Sequence, residues 1–186
     1  ATTVGVTAGT GGAGGAGTDA ITTDNLGGNG GAATLDLNVA TGTTQAIGTL
    51  TIAGGDGGSA GTTTGIFLGA VGGAGANALA TIAGDITGNI VLNDGAAGAT
   101  VGAVAGGAKG TATVTFDGGT VQTITGTITA AADGEGAIIF SGDSGTTADI
   151  VTITGAVGSS IKKIGTITSG VSTAQTSTKF SSDVYA

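Results

Sequence analysis

The side chains that could perform chemistry in this sequence are its acids. The chain has 12 Asp and Glu residues and four Lys, and it has neither His nor Cys. Ser-His and Cys-His nucleophile pairs therefore cannot form, and neither can imidazole or thiolate metal sites. Paired carboxylates can hydrolyse glycosidic bonds, and the sequence offers Asp133 with Glu135 and Asp143 with Asp149. Both pairs lie in glycine-rich stretches typical of solvated turns, so we predict that the protein is not an enzyme.

The same acids fit a second chemistry, because Ca²⁺ prefers oxygen ligands from carboxylates and backbone carbonyls in tight, glycine-rich turns. The calcium candidates are Asp56, Asp94, Asp117, Asp133 and Glu135. No Gly-Gly-x-Gly-x-Asp nonapeptide and no EF-hand loop is complete, so ordinary turn residues are the alternative. Calcium is the one cofactor that the sequence suggests, and no other is expected.

Several of these acids follow a short apolar signature that returns at a fixed interval. Large apolar residues two positions apart point to the same face of a β-strand. The pairs are Ile66 with Leu68, Ile90 with Leu92, Val114 with Phe116, and Ile138 with Phe140, each 24 residues after the last. Turn-forming residues follow in register, Asn93, Asp117 and Ser141 in one column and Asp94, Gly118 and Gly142 in the next. The pattern predicts an all-β fold, a β-solenoid or β-helix with coils of about 24 residues. A jelly-roll β-sandwich with a donated terminal strand is the alternative.

Composition supports strands over helices. With 42 Gly, four Phe, one Tyr and no Trp, Met or Pro, the core must consist of Val, Ile, Leu and small residues. Glycine destabilises helices, and β-branched residues favour strands. A net charge of -8 excludes nucleic-acid binding, which needs clustered Lys and Arg. The charge-free stretch between Asp56 and Asp85 is too rich in Gly and Ala for a membrane span.

The chain divides into three parts by composition. Residues 1–31 form a glycine-rich arm or cap, residues 32–170 the solenoid body, and residues 171–186 a Thr- and Ser-rich cap or inter-subunit strand. An open terminal coil needs a cap or a partner, so apolar residues near the ends are candidates for assembly. These are Val4, Val6, Phe180, Val184 and Tyr185.

The first residues are Ala1-Thr2-Thr3, and the chain contains no Met. A small residue at this position is compatible with signal-peptide cleavage. We therefore expect a location outside the cell or on the cell surface, in a bacterium or archaeon.

Three glycine- and threonine-rich stretches, residues 114–120, 123–128 and 149–155, carry a resemblance. In composition and period the sequence resembles the passenger regions of bacterial autotransporters, especially the rickettsial outer-membrane surface antigens, and also surface-layer proteins. The resemblance covers roughly residues 33–170 and implies a β-helical, exported protein that acts in adhesion or as a coat.

We therefore expect an exported structural protein that joins copies of itself into a filament, tube or lattice. An adhesin-type binding module that uses one face of a β-helix is the alternative, and its ligand on a host or cell surface is unknown.

Overall fold

The computed structural model describes residues 4–7, 9–13, 27–40, 43–60, 72–99, 106–118, 121–142, 149–170 and 176–186. Within these ranges the protein is all-β and has no helix. The strands are β1 Val4–Thr7, β2 Ala33–Asn38, β3 Thr44–Ala53, β4 Ala78–Ala83, β5 Asp85–Asn93, β6 Ala112–Gly118, β7 Gln122–Thr125, β8 Ile128–Ala130, β9 Glu135–Gly142, β10 Asp149–Ile153, β11 Ile164–Ser169 and β12 Thr176–Phe180.

The strands form two sheets, and every pair of neighbouring strands is parallel. Sheet 1 has the order β1-β3-β5-β7-β10-β12, with β8 also paired to β5, and sheet 2 has the order β2-β4-β6-β9-β11. The order within each sheet follows the chain, and the chain passes from one sheet to the other after nearly every strand. Parallel pairing disagrees with the jelly-roll alternative, which is an antiparallel architecture.

Alternation of apolar and polar residues places one face of each strand in a shared core. In β4, Ala78, Ala80 and Ile82 are fully buried, whereas Leu79 between them is 36% exposed. Corresponding residues of neighbouring strands lie in columns that run across the sheet. One column of sheet 2 comprises Leu35, Ala80, Val114, Ile138 and Ile167. The core thus continues without a break from the first strands to the last.

Aromatic residues occupy another column of sheet 2. Phe116 stacks on Phe140 with ring centroids 5.5 Å apart, and Phe180 of sheet 1 meets Phe140 edge-on at 5.9 Å. These contacts join the two sheets near the C-terminal end of the core.

The predicted separation of 24 residues between paired strands is confirmed for one strand pair, β6 with β9, and is wrong as a general rule. Val114 pairs with Ile138 and Phe116 with Phe140, as the repeat requires. Ile90 instead lies in sheet 1, where it pairs with Leu50 and Ile128. Ile66 and Leu68 lie outside the described residues. Connections of different lengths separate the strands, so coils of about 24 residues are not the rule.

Six glycine-rich segments pack together beside the sheets, and we call them the glycine layer. They belong to the first three connections from sheet 1 to sheet 2, which we call crossings: β1 to β2, β3 to β4 and β5 to β6. Each crossing has one segment after its first strand and one before its second, and the six segments are residues 9–13, 27–31, 54–60, 72–77, 94–99 and 106–111. The two segments of each crossing bond to one another, as in Gly28 N to Gly12 O at 2.6 Å and Gly73 N to Gly58 O at 2.8 Å. Bonds also link successive crossings, as in Gly58 N to Gly28 O at 3.0 Å. The segment of residues 9–13 therefore packs within its own chain.

A three-residue period organises this layer. Gly54, Gly57 and Ala60 donate to the carbonyls of Asn93, Ala96 and Ala99 at 2.8, 2.9 and 2.9 Å. Gly55 and Gly58, one position later, are buried and donate in other directions, whereas Asp56 and Ser59 face solvent. Three residues per turn is the period of polyproline II chains, and glycine is required where such chains approach closely.

Candidate functional site

Asp94 has a largely enclosed side chain. Its side chain is 6% exposed, and its Oδ1 accepts hydrogen bonds from Ala112 N at 2.8 Å and Gly136 N at 3.2 Å. Its Oδ2 pairs with Lys109 Nζ at 2.9 Å. The carboxylate therefore joins the end of β5 to the starts of β6 and β9.

The ammonium group of Lys109 lies where a cation beside Asp94 would bind. The hydrogen bond to Asp94 raises the pKa of Lys109 above its ordinary value, against the opposing effect of desolvation, and the charges of Asp94 and Glu135 raise it further. The lysine is thus a stable cation and a poor nucleophile. The structure brings the calcium candidates Asp94 and Glu135 near one another, around this lysine.

The calcium candidates other than Asp94 each accept a hydrogen bond from the protein. Asp56 accepts from Ala96 N at 2.7 Å, Asp133 from Lys163 N at 3.0 Å, Glu135 from Ala132 N at 3.1 Å, and Asp117 from Ser141 Oγ at 3.2 Å. Nowhere in the described ranges do three acids form a group that could hold a metal ion. Calcium binding stays a prediction.

The acid pairs considered for glycoside hydrolysis are not both described. Asp133 is exposed and Glu135 half-buried, and each accepts a backbone N–H in or beside the turn before β9. Asp143 and the side chain of Asp149 lie outside the described residues.

Side-chain oxygens of Asp and Asn form a recurring contact between neighbouring strands. In each case the oxygen accepts the backbone N–H of the residue that occupies the equivalent position one strand further along the same sheet. The pairs are Asn29 to Ala74 at 2.9 Å, Asp56 to Ala96 at 2.7 Å, Asn77 to Thr111 at 3.1 Å, Asp85 to Thr123 at 2.7 Å and Asn89 to Thr127 at 3.0 Å. Their sequence separations of 45, 40, 34, 38 and 38 residues match the strand register at each place.

Sequence reasoning identified Asp56 in this set and missed the other four. A weak signal was present, because Asn77 and Asp85 stand at strand starts, where Asp and Asn commonly bond to backbone groups. The partners could not be found, since they depend on connection lengths that differ from one crossing to the next.

The terminal residues proposed for assembly pair within the chain. Val4 and Val6 lie in β1, opposite Leu50 and Ile52 of β3. Phe180 packs against the core. Val184, 40% exposed, forms a β-bridge with Val157. Tyr185 N donates to Val157 O at 2.8 Å, and Tyr185 O accepts from Ile164 N at 3.0 Å. The last residues therefore cover part of the C-terminal end of the core.

The outermost strands cover the core less well than the inner strands do. The inward residues Leu35, Leu37 and Val39 at the N-terminal end are half-buried, and so is Ile167 at the C-terminal end. The equivalent residues of inner strands, such as Val114 and Ile138, are fully buried. Each end of the sheet stack thus presents apolar side chains that a further strand would cover.

Among the described residues, Gln122 is the one buried polar side chain, with 1% exposure. Its Nε2 donates to Gly84 O at 2.7 Å and Ile82 O at 3.2 Å, and it thereby fixes the corner between β4 and β5. Among the described residues, its Oε1 has no hydrogen-bond partner.

Two exposed apolar residues stand at the starts of adjacent strands of sheet 1. Val121 is 65% exposed and Ile150 is 38% exposed, and they directly precede Gln122 and Val151, which pair with one another. They form a small apolar patch at the starts of β7 and β10.

No protein-family model, curated protein or solved structure matches this chain. Within the part of the chain that the structure describes, no helix has the length and hydropathy needed to cross a membrane.

Proposed function

We propose that the protein is an exported structural building block, a β-solenoid that assembles with copies of itself into an extended filament, tube or lattice at or outside the cell surface. The observation that carries the proposal is the strand order. Strands alternate between two parallel sheets and follow the chain within each sheet, which is the connectivity of a chain that winds in successive coils.

The use of polar side chains supports a structural role. Asn29, Asp56, Asn77, Asp85 and Asn89 each accept a backbone N–H at the equivalent position of the next strand in the sheet. Asp94 accepts two backbone N–H groups and pairs with Lys109. Groups held in this way stabilise the contacts between neighbouring strands. We therefore propose a role without catalysis.

The two ends of the stack support assembly. Their inward apolar side chains are only half-covered, and parallel edge strands readily accept a further strand. A solenoid that adds copies at its ends lengthens without any change of fold.

Sedimentation velocity over a wide range of protein concentration, with and without EDTA, tests this proposal. We expect the mean sedimentation coefficient to rise with concentration in both buffers. A monodisperse species of 16.8 kDa at every concentration would overturn it. Assembly only without EDTA would show that the joints need a divalent cation, of which calcium is the one the sequence suggests.

A binding module is the second candidate, and the patch of Val121 and Ile150 favours it. Exposed apolar side chains on adjacent strands are a common feature of binding faces. Binding of fluorescently labelled protein to a glycan array and to intact bacterial and animal cells tests this candidate. It predicts saturable binding that the Val121→Ser/Ile150→Ser variant loses, whereas the structural role predicts none.

A further inference from the structure

We propose that copies join head to tail, with the C-terminal end of one copy covering the N-terminal end of the next. This inference rests on the proposed self-assembly and adds the polarity and the residues of the joint. The occupant of each exposed end is thus the opposite end of a second copy.

Charge distinguishes the two ends. Residues 1–40, which include β1 and β2, contain three acids and no Lys, whereas residues 150–186 contain three Lys and one Asp. Lys162, Lys163 and Lys179 are all exposed near the C-terminal strands β11 and β12, and Asp36 is exposed on the N-terminal strand β2. Two N-terminal ends would repel each other, as would two C-terminal ends, and opposite ends attract.

The columns of core residues also favour a head-to-tail joint. The column of Leu35, Ala80, Val114, Ile138 and Ile167 begins with one half-buried residue and ends with another. If β2 of the next copy pairs in parallel with β11, its Leu35 lies above Ile167 and continues the column. Such a joint is heterologous, and because it leaves a free end on each side it leads to an open filament.

The test uses two variants that each block one end. Leu35→Glu places an acid on the inward face at the N-terminal end, and Ile167→Glu places one at the C-terminal end. A charge buried without a partner weakens a joint strongly, so we expect each variant alone to need at least about 100-fold more protein to assemble. The matched controls are Thr34→Glu and Thr166→Glu, neighbours on the same strands whose side chains face solvent. We expect both controls to assemble as the unaltered chain does.

Mixing the two blocked variants gives the decisive result. Each retains one intact end, and these ends are complementary, so sedimentation should show a 1:1 complex of twice the 16.8 kDa chain mass that does not grow further. This complex also shows that both variants are folded. A mixture that stays monomeric although the unaltered chain assembles would overturn the head-to-tail joint and leave the structural role standing. Loss of assembly in the Thr34→Glu and Thr166→Glu controls would also overturn the head-to-tail joint and leave the structural role standing. An unaltered chain that never assembles would overturn the structural role itself.

Discussion

Replacement of Gly58 by alanine should destabilise the glycine layer strongly. A Cβ on Gly58 would lie 2.0 Å from Gly12 O and 2.7 Å from Gly28 O. To reach an ordinary contact of 3.4 Å, Gly12 O would have to move by about 1.4 Å. That oxygen accepts the 2.6 Å hydrogen bond from Gly28 N, so the shift breaks a bond within the first crossing.

The magnitude follows from two contributions. Overpacking of a dense interior costs about 1–3 kcal/mol, and loss of one backbone hydrogen bond costs about 1 kcal/mol. The lower chain entropy of alanine in the unfolded state offsets about 0.4–1 kcal/mol. We expect a net loss of about 1–3.5 kcal/mol in the free energy of unfolding, or roughly 2–14 °C in Tm for a chain of this size.

Gly12→Ala is the matched control, because a Cβ on Gly12 meets no atom within 4 Å. Neither Gly12 nor Gly58 has a positive φ, so alanine suits the backbone at both positions. The control should be neutral or stabilising by up to about 1 kcal/mol. Urea denaturation followed by circular dichroism measures both variants. Equal stability of Gly58→Ala and Gly12→Ala would refute the packed glycine layer.

Three further outcomes are expected. Asp94→Ala should lower the free energy of unfolding by about 2–4 kcal/mol in urea denaturation, because it leaves buried N–H groups unsatisfied. Lys109→Gln should cost less than about 1 kcal/mol, because the lysine side chain is 49% exposed. The folded state raises the pKa of Lys109, so its contribution to the free energy of unfolding is complete below the unfolded pKa of about 10.4 and is lost as pH rises through the folded value. The difference in stability between the unaltered chain and Lys109→Gln should therefore shrink above pH 10. A constant difference would contradict the ion pair. Gln122→Glu replaces two amide N–H donors with one O–H donor, so it should cost about 1 kcal/mol near pH 4, where the carboxyl is neutral. Burial raises the pKa of this carboxyl, so urea denaturation should show a further loss of more than about 2 kcal/mol by pH 7. A pH-independent loss would show that the carboxyl reaches water.

The strands and their inward faces were largely predictable from the sequence. Val114, Phe116, Ile138 and Phe140 were placed correctly because alternation of apolar and polar residues fixes which side of a strand is buried. The assignment of Ile90 to the same column was wrong, because the partner of a parallel strand depends on the length of the intervening chain. A local pattern does not contain that length.

The glycine layer was the main feature that sequence reasoning missed. A Gly- and Ala-rich stretch such as residues 9–13 has the composition of a flexible linker when considered alone. The usable signal was glycine at every third position, as in Gly54 with Gly57 and Gly95 with Gly98. It indicates chains with three residues per turn that approach one another closely. The hydrogen-bond partners lie about 15–45 residues away, so only the folded arrangement identifies them.

Electron microscopy of assembled protein tests the central proposal most directly. Sheet 2 has five strands and the path β1-β3-β5-β7-β10-β12 of sheet 1 has six, so at about 4.8 Å between strands each copy adds about 24–29 Å to a head-to-tail stack. Power spectra of the filaments should therefore show a meridional reflection near 4.8 Å and an axial repeat of about 24–29 Å. Filaments without a 4.8 Å spacing along their axis, or isolated particles at high protein concentration, would contradict a building block that stacks end to end.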